Sequence, residues 1–446
     1  MERKFYKTLL EWKEKYIETP LMVVGARQIG KTYIIEEFCK NEFEDYIIIN
    51  LMGSPSITKI FEEEINFTEK VEKIELELKR KINPEKTVIF IDEIQESEKA
   101  ITALKFFAES PLPYKIICAG SLLGVKIHRF KSSFPVGKVR IEFMRPMDFE
   151  EFLLALDNKM WVDEIKKCYK GMKPISIHDQ LMKLYRTYLC VGGMPEAIKK
   201  YKQANQDILL WDKSIVSNII MSYLADMNKY TLTPTESIKI EKVYKAIPIA
   251  LSKENKKFMY ADIEPKAEKK IFETAIDWLL ASNMINRCTA VNNIEKPLKA
   301  FSQEHIFKLY YNDVGMLTYS LGLDYADILL DKSFITKGAL AETYIAQEFT
   351  ANNIDLYYWN PDTKAEVDFV LSNKDGIIPV EVKSSDNKKS QSLKVYVKKY
   401  NPPYSIRVSA KNFGFKNNIK SIPLYAVFCI GAEKSEKTQS IGAENP

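Results

Sequence analysis

The segment GARQIGKT, at residues 25–32, follows the pattern Gly-x-x-x-x-Gly-Lys-Thr, which is typical of loops that wrap the phosphates of a nucleotide. Glycine at each end lets the main chain curve so that consecutive amide groups point at phosphate oxygens. Lys31 is predicted to reach the terminal phosphates, and the Thr32 hydroxyl is predicted to bind Mg²⁺. The predicted cofactors are therefore ATP and magnesium. The residues predicted to contact the nucleotide are Gly25, Ala26, Arg27, Gln28, Ile29, Gly30, Lys31 and Thr32.

Two carboxylates and a serine at the ends of later apolar runs could complete the chemistry of this loop. Asp92 and Glu93 follow the run VIFI, where an aspartate would hold Mg²⁺ and the adjacent glutamate would polarise the attacking water. Ser121 ends the run IICAGS, where a polar side chain would contact the terminal phosphate or the water. A loop serine that begins a helix is the alternative interpretation of Ser121. The predicted catalytic residues are Glu93, Lys31 and Ser121, and the predicted metal ligands are Thr32 and Asp92.

A second group of acidic residues lies nearer the carboxyl end of the chain. Glu342 belongs to a predicted helix, and Asp368 to the predicted strand AEVDFVL. Glu381 and Lys383 share one face of the predicted strand IIPVEVKS, because side chains alternate along a strand. In metal-dependent nucleases such carboxylates bind Mg²⁺ and the lysine orients a water molecule. Alternating charge on an edge strand produces the same pattern without chemistry, so the sequence predicts a nuclease-like site and leaves its activity open.

Short apolar runs alternate with helical patterns over the first 150 residues. The runs predict strands near 21–25, 45–51, 87–93, 114–121 and 139–144, with helical patterns between them. This alternation is typical of a parallel sheet covered by helices on both faces. The predicted fold class is therefore α/β, with the phosphate-binding loop directly after the first strand.

Longer stretches around these motifs resemble a prokaryotic family of AAA+ ATPases. They are GARQIGKT, FIDEIQ, AGSLLG, FPVGKVRIEFMRPMDFEEFL, YLCVGGMPEA, FKLYYNDVGML and KGALAETYIAQEF, and the resemblance spans about residues 3–430. It implies a P-loop NTPase core and a C-terminal domain of unknown function with a restriction-endonuclease-like fold. The arginine finger expected of such an ATPase is left open among Arg129, Arg140 and Arg145.

The change in pattern along the chain predicts several domains. A winged helix is expected because the helix at 265–282 is followed by RCTAVNN and PLKAF, which resemble a small β-wing, although mixed charges on that helix also suit a solvated face. The last residues are polar and are expected to be disordered. The expected segments are an AAA+ P-loop core (1–150), a helical lid (151–232), a winged-helix-like module (233–302), a restriction-endonuclease-like α/β domain (303–430) and a disordered tail (431–446).

Composition limits the compartment and the partners. The excess of 65 Lys and Arg over 60 Asp and Glu is too small to predict polyanion binding by the whole chain. Residues 383–420, however, carry ten basic side chains against one acid, with aromatic residues between them. This pattern favours nucleic-acid binding, and a solubilising face over aromatic core residues is the alternative. No apolar run is long enough to span a membrane, and the six cysteines form no paired motif, so a cytoplasmic location is expected.

The sequence therefore predicts an ATP-binding AAA+ protein that hydrolyses ATP with magnesium and controls a nuclease-like C-terminal domain, plausibly on DNA. Two alternatives remain open: a metal-dependent DNA nuclease gated by ATP, and a nucleotide-dependent switch that binds a protein partner. Besides ATP, the candidate partners are DNA, another protein and a second copy of the chain.

Overall fold

The computed structural model describes residues 1–125, 134–135, 137–231, 233–333, 335–361, 365–383 and 391–431. The chain divides into two compact units, which is coarser than the expected division into five segments. The first unit contains Glu2–Arg145 together with Ala281–Asn283, and the second contains Pro146–Leu280 and the residues from Met284 onward. Most of the tail expected to be disordered, 432–446, lies outside the described residues. Within those ranges, no helix has the length and apolar character needed to cross a membrane.

A five-stranded parallel sheet forms the centre of the first unit, in the order β2-β3-β4-β1-β5. The three central strands are buried along nearly their whole length, since helices can cover both faces of a parallel sheet. The five predicted strands are thereby confirmed. Their bounds are β1 Leu21–Val24, β2 Asp45–Asn50, β3 Thr87–Asp92, β4 Lys115–Gly120 and β5 Arg140–Phe143.

Helices lie between the strands of the first unit, as predicted. The segment between β2 and β3 forms two of them, because Asn66 begins the second by accepting a hydrogen bond from the Glu69 amide at 2.9 Å. The helices are α1 Phe5–Lys15, α2 Lys31–Glu42, α3 Pro55–Glu62, α4 Phe67–Leu78 and α5 Glu98–Glu109.

The second unit begins with helices and continues into a mixed sheet. Asp148 and Glu151 form a reciprocal capping box that starts the first helix of this unit. The helices are α6 Phe149–Ala155, α7 Lys159–Gly171, α8 His178–Val191, α9 Pro195–Gln203, α10 Ser214–Lys229, α11 Pro234–Leu251, α12 Lys269–Ala281, α13 Val314–Ser320, α14 Tyr325–Leu329, α15 Lys337–Ala351 and α16 Gln391–Tyr400.

Eight strands of the second unit form one sheet, in the order β12-β13-β11-β10-β9-β8-β6-β7. Their bounds are β6 Ile285–Val291, β7 Ser302–Tyr311, β8 Tyr357–Trp359, β9 Val367–Asn373, β10 Gly376–Lys383, β11 Ser405–Ser409, β12 Gly414–Lys416 and β13 Ile419–Pro423. The two strands predicted at AEVDFVL and IIPVEVKS are confirmed as β9 and β10.

The structure corrects the expected β-wing. The segment PLKAF contains a 3₁₀ turn at Leu298–Phe301 instead of a strand. Strand β6 pairs with β7 on one side and runs parallel to β8 on the other, with Thr289 opposite Tyr357. The hairpin therefore extends the large sheet, because most of β6 is buried and requires neighbours on both edges.

A buried polar junction in the second unit joins three of the family-like stretches. The Gly193 amide donates to Asp313 Oδ2 at 2.5 Å, and the Gln347 amide group donates to Tyr188 Oη at 2.8 Å. Gln347 Oε1 in turn accepts from the Val314 amide at 2.9 Å. We call Tyr188, Gly193, Asp313 and Gln347 the Asp313 junction. Sequence reasoning assigned these stretches no chemistry, and their role in the structure is to tie α8, α13 and α15 together.

Candidate nucleotide site

The phosphate-binding loop connects the end of β1 to the first residue of α2. Gly30 adopts φ = 88° immediately before α2, a backbone conformation that side-chain-bearing residues rarely reach. A Cβ atom at Gly25 would lie 2.4 Å from the carbonyl oxygen of Met144, which follows the neighbouring strand β5. Glycine is therefore required at both positions of the predicted motif, for backbone freedom at one and for space at the other.

Lys31 is buried at the start of α2 and is held against its own loop. Its ammonium group donates to the carbonyl oxygens of Gly25 at 2.9 Å and Ala26 at 2.7 Å. Arg27, Gln28 and Thr32 are exposed, whereas Ile29 is buried and anchors the loop. The loop thus combines a fixed internal cation with an exposed outer surface, which is the arrangement needed to receive a polyphosphate.

The side chains of Thr32, in α2, and Asp92, at the carboxyl end of β3, are hydrogen-bonded to each other. The Thr32 hydroxyl donates to Asp92 Oδ2 at 2.9 Å, and Asp92 is buried at the end of β3. Burial raises the pKa of Asp92, and the adjacent charge of Glu93 raises it further. A hydroxyl oxygen next to a carboxylate suits Mg²⁺, which prefers oxygen ligands and takes its remaining ligands from phosphates and water. The predicted metal ligands therefore lie together.

Glu93 is positioned by Gln95, a residue that the sequence analysis did not predict for the site. Glu93 itself adopts φ = 52°, and its main-chain amide donates to Asp92 Oδ1 at 3.0 Å. The Gln95 amide group, fully buried in the 3₁₀ turn Ile94–Glu96, donates to Glu93 Oε2. A Cβ at Gly120 would lie 2.1 Å from Gln95 Oε1, so the glycine that ends β4 makes room for this side chain. The stretch FIDEIQ carried the signal, since its glutamine is the only uncharged polar residue beside the two acids.

Ser121 directly follows Gly120 at the carboxyl end of β4, and it is buried. Strand β4 lies between β1 and β3 in the sheet, so Ser121, the loop and Asp92 lie at the carboxyl ends of three adjacent parallel strands. Because the carboxyl ends of parallel strands lie at one edge of a sheet, the predicted catalytic residues share that edge.

Two of the three arginines considered as a finger have structural partners. Arg140 donates to Glu142 at 2.7 Å and lies over the Tyr16 ring, at the amino end of β5. Arg145 donates to Asn283 Oδ1 at 2.5 Å within the first unit, and burial lowers its pKa to about 10. Arg129 lies outside the described residues. Neither described arginine is held at the phosphate-binding loop by a contact of its guanidinium group with residues 25–32, so the finger stays unassigned.

Arg3 supports the loop from behind. Its buried guanidinium donates to the carbonyl oxygens of Ile29 and Arg145, both at 2.7 Å. One side chain therefore joins the phosphate-binding loop to the segment that follows β5. No sequence motif indicated this residue, which lies 22 positions before Gly25.

Replacing Arg3 with methionine is expected to weaken ATP binding about tenfold, since a hydrogen bond to a charged group contributes about 1.5–3 kcal/mol. Titration with a fluorescent ATP analogue measures the change. Arg3→Lys is expected to recover only part of the affinity, because a single ammonium group cannot reproduce the planar fork. Lys7→Met, at an exposed position of α1, is the matched control. Equal affinities for Arg3→Met and Lys7→Met would show that Arg3 does not shape the loop.

The predicted nuclease-like residues occupy the second unit and divide into two groups. Glu342 of α15 is buried, and its carboxylate accepts from Lys308 at 3.3 Å and from Tyr310 at 2.9 Å. Lys256 also donates to Glu342. Burial alone would raise the pKa of Glu342, but the ammonium groups of Lys308 and Lys256 hold it below its usual range.

Asp368 of β9 lies in the same region. Its Oδ2 accepts from the Val382 amide at 2.7 Å, and both burial and the charge of Glu342 raise its pKa. Lys308 also pairs with Glu366 at 2.7 Å. Neither Lys308 nor Glu366 was predicted as a site residue.

Glu381 and Lys383 contact each other rather than Glu342. Their charged groups lie 3.1 Å apart, and Arg407 of the adjacent strand β11 approaches Glu381 to 3.7 Å. In the described part of the chain, no group of three or more His, Cys, Asp and Glu side chains could hold a metal ion. Asp368, Glu381 and Lys383 thus lie on the paired strands β9 and β10 and Glu342 lies on α15, and the described residues form no metal-binding cluster there.

The aromatic residues of the basic stretch at 383–420 belong mainly to the core. Tyr396 and Phe413 are buried, and Tyr400 packs against the Trp359 ring at 5.8 Å between centroids. Phe415 is 56% exposed, so one side chain of the predicted stacking set faces solvent. Lys388 and Lys389 lie outside the described residues. The aromatic pattern at 396–413 is explained by packing, and the basic side chains remain as a surface.

Comparison with known families places these observations in context. Residues 18–153 match a family described as an AAA domain. Residues 182–327 and 337–427 match two families described as domains of unknown function, DUF8612 and DUF4143. No match was found among curated proteins.

Three archaeal proteins are among the solved structures that match the chain. The Walker-type ATPase of Pyrococcus abyssi is 14% identical over 72% of this chain and 95% of its own, with a TM-score of 0.43. The ORC2 protein of Aeropyrum pernix is 10% identical over 75% and 92%, with a TM-score of 0.37. Cdc6p of Pyrobaculum aerophilum is 10% identical over 73% and 93%, with a TM-score of 0.24.

The family match over residues 18–153 contains the phosphate-binding loop, Asp92, Glu93 and Ser121. These residues belong to an AAA-type domain, and the chain is an ATP-binding ATPase. The winged-helix and restriction-endonuclease-like folds expected for the later segments stay predictions.

Proposed function

We propose that this AAA-type ATPase hydrolyses ATP at the loop of residues 25–32 and uses the nucleotide cycle to control its second unit. The observation that carries the proposal is the 2.9 Å hydrogen bond between Thr32 and Asp92, beside the buried Lys31. It brings together the hydroxyl, the carboxylate and the ammonium that phosphoryl transfer to water requires.

Each residue has a separate role in this mechanism. The loop amides and Lys31 bind the β- and γ-phosphates, which orients the terminal phosphorus for attack. Thr32 and Asp92 would hold Mg²⁺, which supplies charge neutralisation at the phosphates. Glu93 accepts the proton of the attacking water, and Gln95 holds the Glu93 carboxylate in place. Ser121 contacts the terminal phosphate or the water at the same edge of the sheet.

Replacing Lys31 with alanine tests the site directly. ATP affinity is expected to fall about ten- to a hundredfold, because a charged hydrogen bond to phosphate contributes about 1.5–3 kcal/mol. Equilibrium titration with a fluorescent ATP analogue measures the affinity. Lys40→Ala, at an exposed position of the same helix, is the control and should bind like the unaltered protein. If Lys31→Ala bound ATP with unchanged affinity, the assignment of the nucleotide site to residues 25–32 would be wrong.

We further propose that DNA is the partner on which the second unit acts. The support is a group of exposed basic side chains within residues 391–416, namely Lys394, Lys398, Lys399, Lys411 and Lys416. Phosphate contacts by such side chains release counterions, so binding should weaken steeply with salt. ATPase rates are to be compared with and without double-stranded DNA at low and moderate salt. If neither DNA retention nor rate stimulation occurs, the nucleotide-dependent protein switch is the better function.

A further inference from the structure

We propose that Lys308 occupies the cation position within the carboxylates of Glu342, Glu366 and Asp368, so that the second unit binds no divalent metal there and does not cleave DNA. The inference concerns the nuclease alternative alone. It stands or falls independently of ATP hydrolysis in the first unit.

The contacts of Lys308 are those of a resident counter-ion. Its ammonium lies 2.7 Å from Glu366 and 3.3 Å from Glu342, and its side chain is 1% exposed. The group also lies 4.9 Å from the centroid of the Tyr358 ring. These carboxylates are therefore arranged at N–H···O distances around nitrogen, whereas a magnesium ion needs oxygen ligands at about 2.0–2.1 Å.

Charge balance gives a second reason. Lys256 is a further cation on Glu342, so two ammonium groups already accompany the three carboxylates of Glu342, Glu366 and Asp368. A divalent cation would have to share this space with two ammonium groups, and the repulsion would be strong in so buried an environment.

The fold leaves Lys308 no alternative position. Strand β7 is buried from Phe307 to Tyr311, and Lys308 pairs with Cys288 of β6 in the middle of the hairpin. Removing the ammonium from its partners would leave buried carboxylates without a counter-charge, which is energetically costly. The lysine is therefore part of the folded core of this unit rather than a mobile side chain.

Metal binding by the otherwise unaltered chain is the first test. Electron paramagnetic resonance of free Mn²⁺ counts the ions bound by the nucleotide-free full chain and by Asp368→Asn, which keeps the shape of the carboxyl group. Equal counts, with no cutting of plasmid DNA in Mn²⁺, are expected. A site lost in Asp368→Asn, or plasmid cutting lost in that variant, would overturn the proposal.

Removal of the lysine charge is the second test. Lys308→Met has a similar length without the ammonium, and it is expected to bind one more Mn²⁺ than the unaltered chain. Mn²⁺ should raise the melting temperature of Lys308→Met by at least about 3 °C and should not change the melting temperature of the unaltered chain. The double variant Lys308→Met/Asp368→Asn should lose the gain. Folded Lys308→Met without extra Mn²⁺ would contradict the proposal, and if this variant does not fold, the first test decides.

Discussion

Replacing Glu93 with glutamine is expected to slow ATP hydrolysis by about 10²–10⁴-fold, the contribution usual for a general base. ATP binding should remain, because Lys31, Thr32 and Asp92 keep their contacts. The glutamine has nearly the same volume as glutamate, and its carbonyl oxygen can still accept from Gln95. The loss would therefore be confined to proton transfer from the attacking water.

Two measurements on the same preparation separate binding from turnover in Glu93→Gln. Phosphate release gives the hydrolysis rate, and titration with a fluorescent ATP analogue gives the affinity. Glu77→Gln removes a carboxylate from an exposed position of α4 in the same unit and is the matched control. A rate in Glu93→Gln within about threefold of the control would be too small a loss for a general base and would exclude that role.

Replacing Gly193 with alanine is expected to destabilise the second unit by about 1–3 kcal/mol, as overpacking of a closed site does. The added Cβ would stand 2.0 Å from the Met147 carbonyl oxygen and 2.8 Å from polar atoms of Gln347 and Tyr188. Gln347 and Tyr188 are members of the Asp313 junction, and Met147 lies beside it. Moving any of these groups away from the added Cβ would therefore break a hydrogen bond of the junction. Denaturant unfolding followed by tryptophan fluorescence measures the loss.

Gly414→Ala is the control for this experiment. Gly414 lies in the edge strand β12, and a Cβ atom added there would have no other atom within 4 Å. Its free energy of unfolding should stay within about 0.5 kcal/mol of the unaltered protein. A comparable small change for Gly193→Ala would show that the junction can relax and does not hold the unit together.

The nucleotide site was predictable because its signals are local. The strand LMVV, the loop GARQIGKT and the helix after it are consecutive, so their geometry follows from neighbouring residues. The position of Asp92 and Glu93 at the end of β3 was also predictable, because parallel strands bring their carboxyl ends to one edge of the sheet. Gln95 belongs to the stretch FIDEIQ and Arg3 to no motif, but both escaped prediction because each acts by a contact that only the folded chain reveals.

The contacts of Glu342 and Asp368 in the second unit could not be predicted from neighbouring residues alone. The pattern of Glu342, Asp368, Glu381 and Lys383 predicted a nuclease-like site, but Lys308 and Lys256 come from separate elements earlier in the chain. Lys308 reaches the carboxylates because β6 joins the sheet beside β8 and pairs on its other side with β7, the strand that contains Lys308. Sequence alone thus determined the phosphate-binding loop and the parallel core. Tertiary pairing of distant strands decided the counter-ion, because burial requires each charge to find a partner regardless of its position in the sequence.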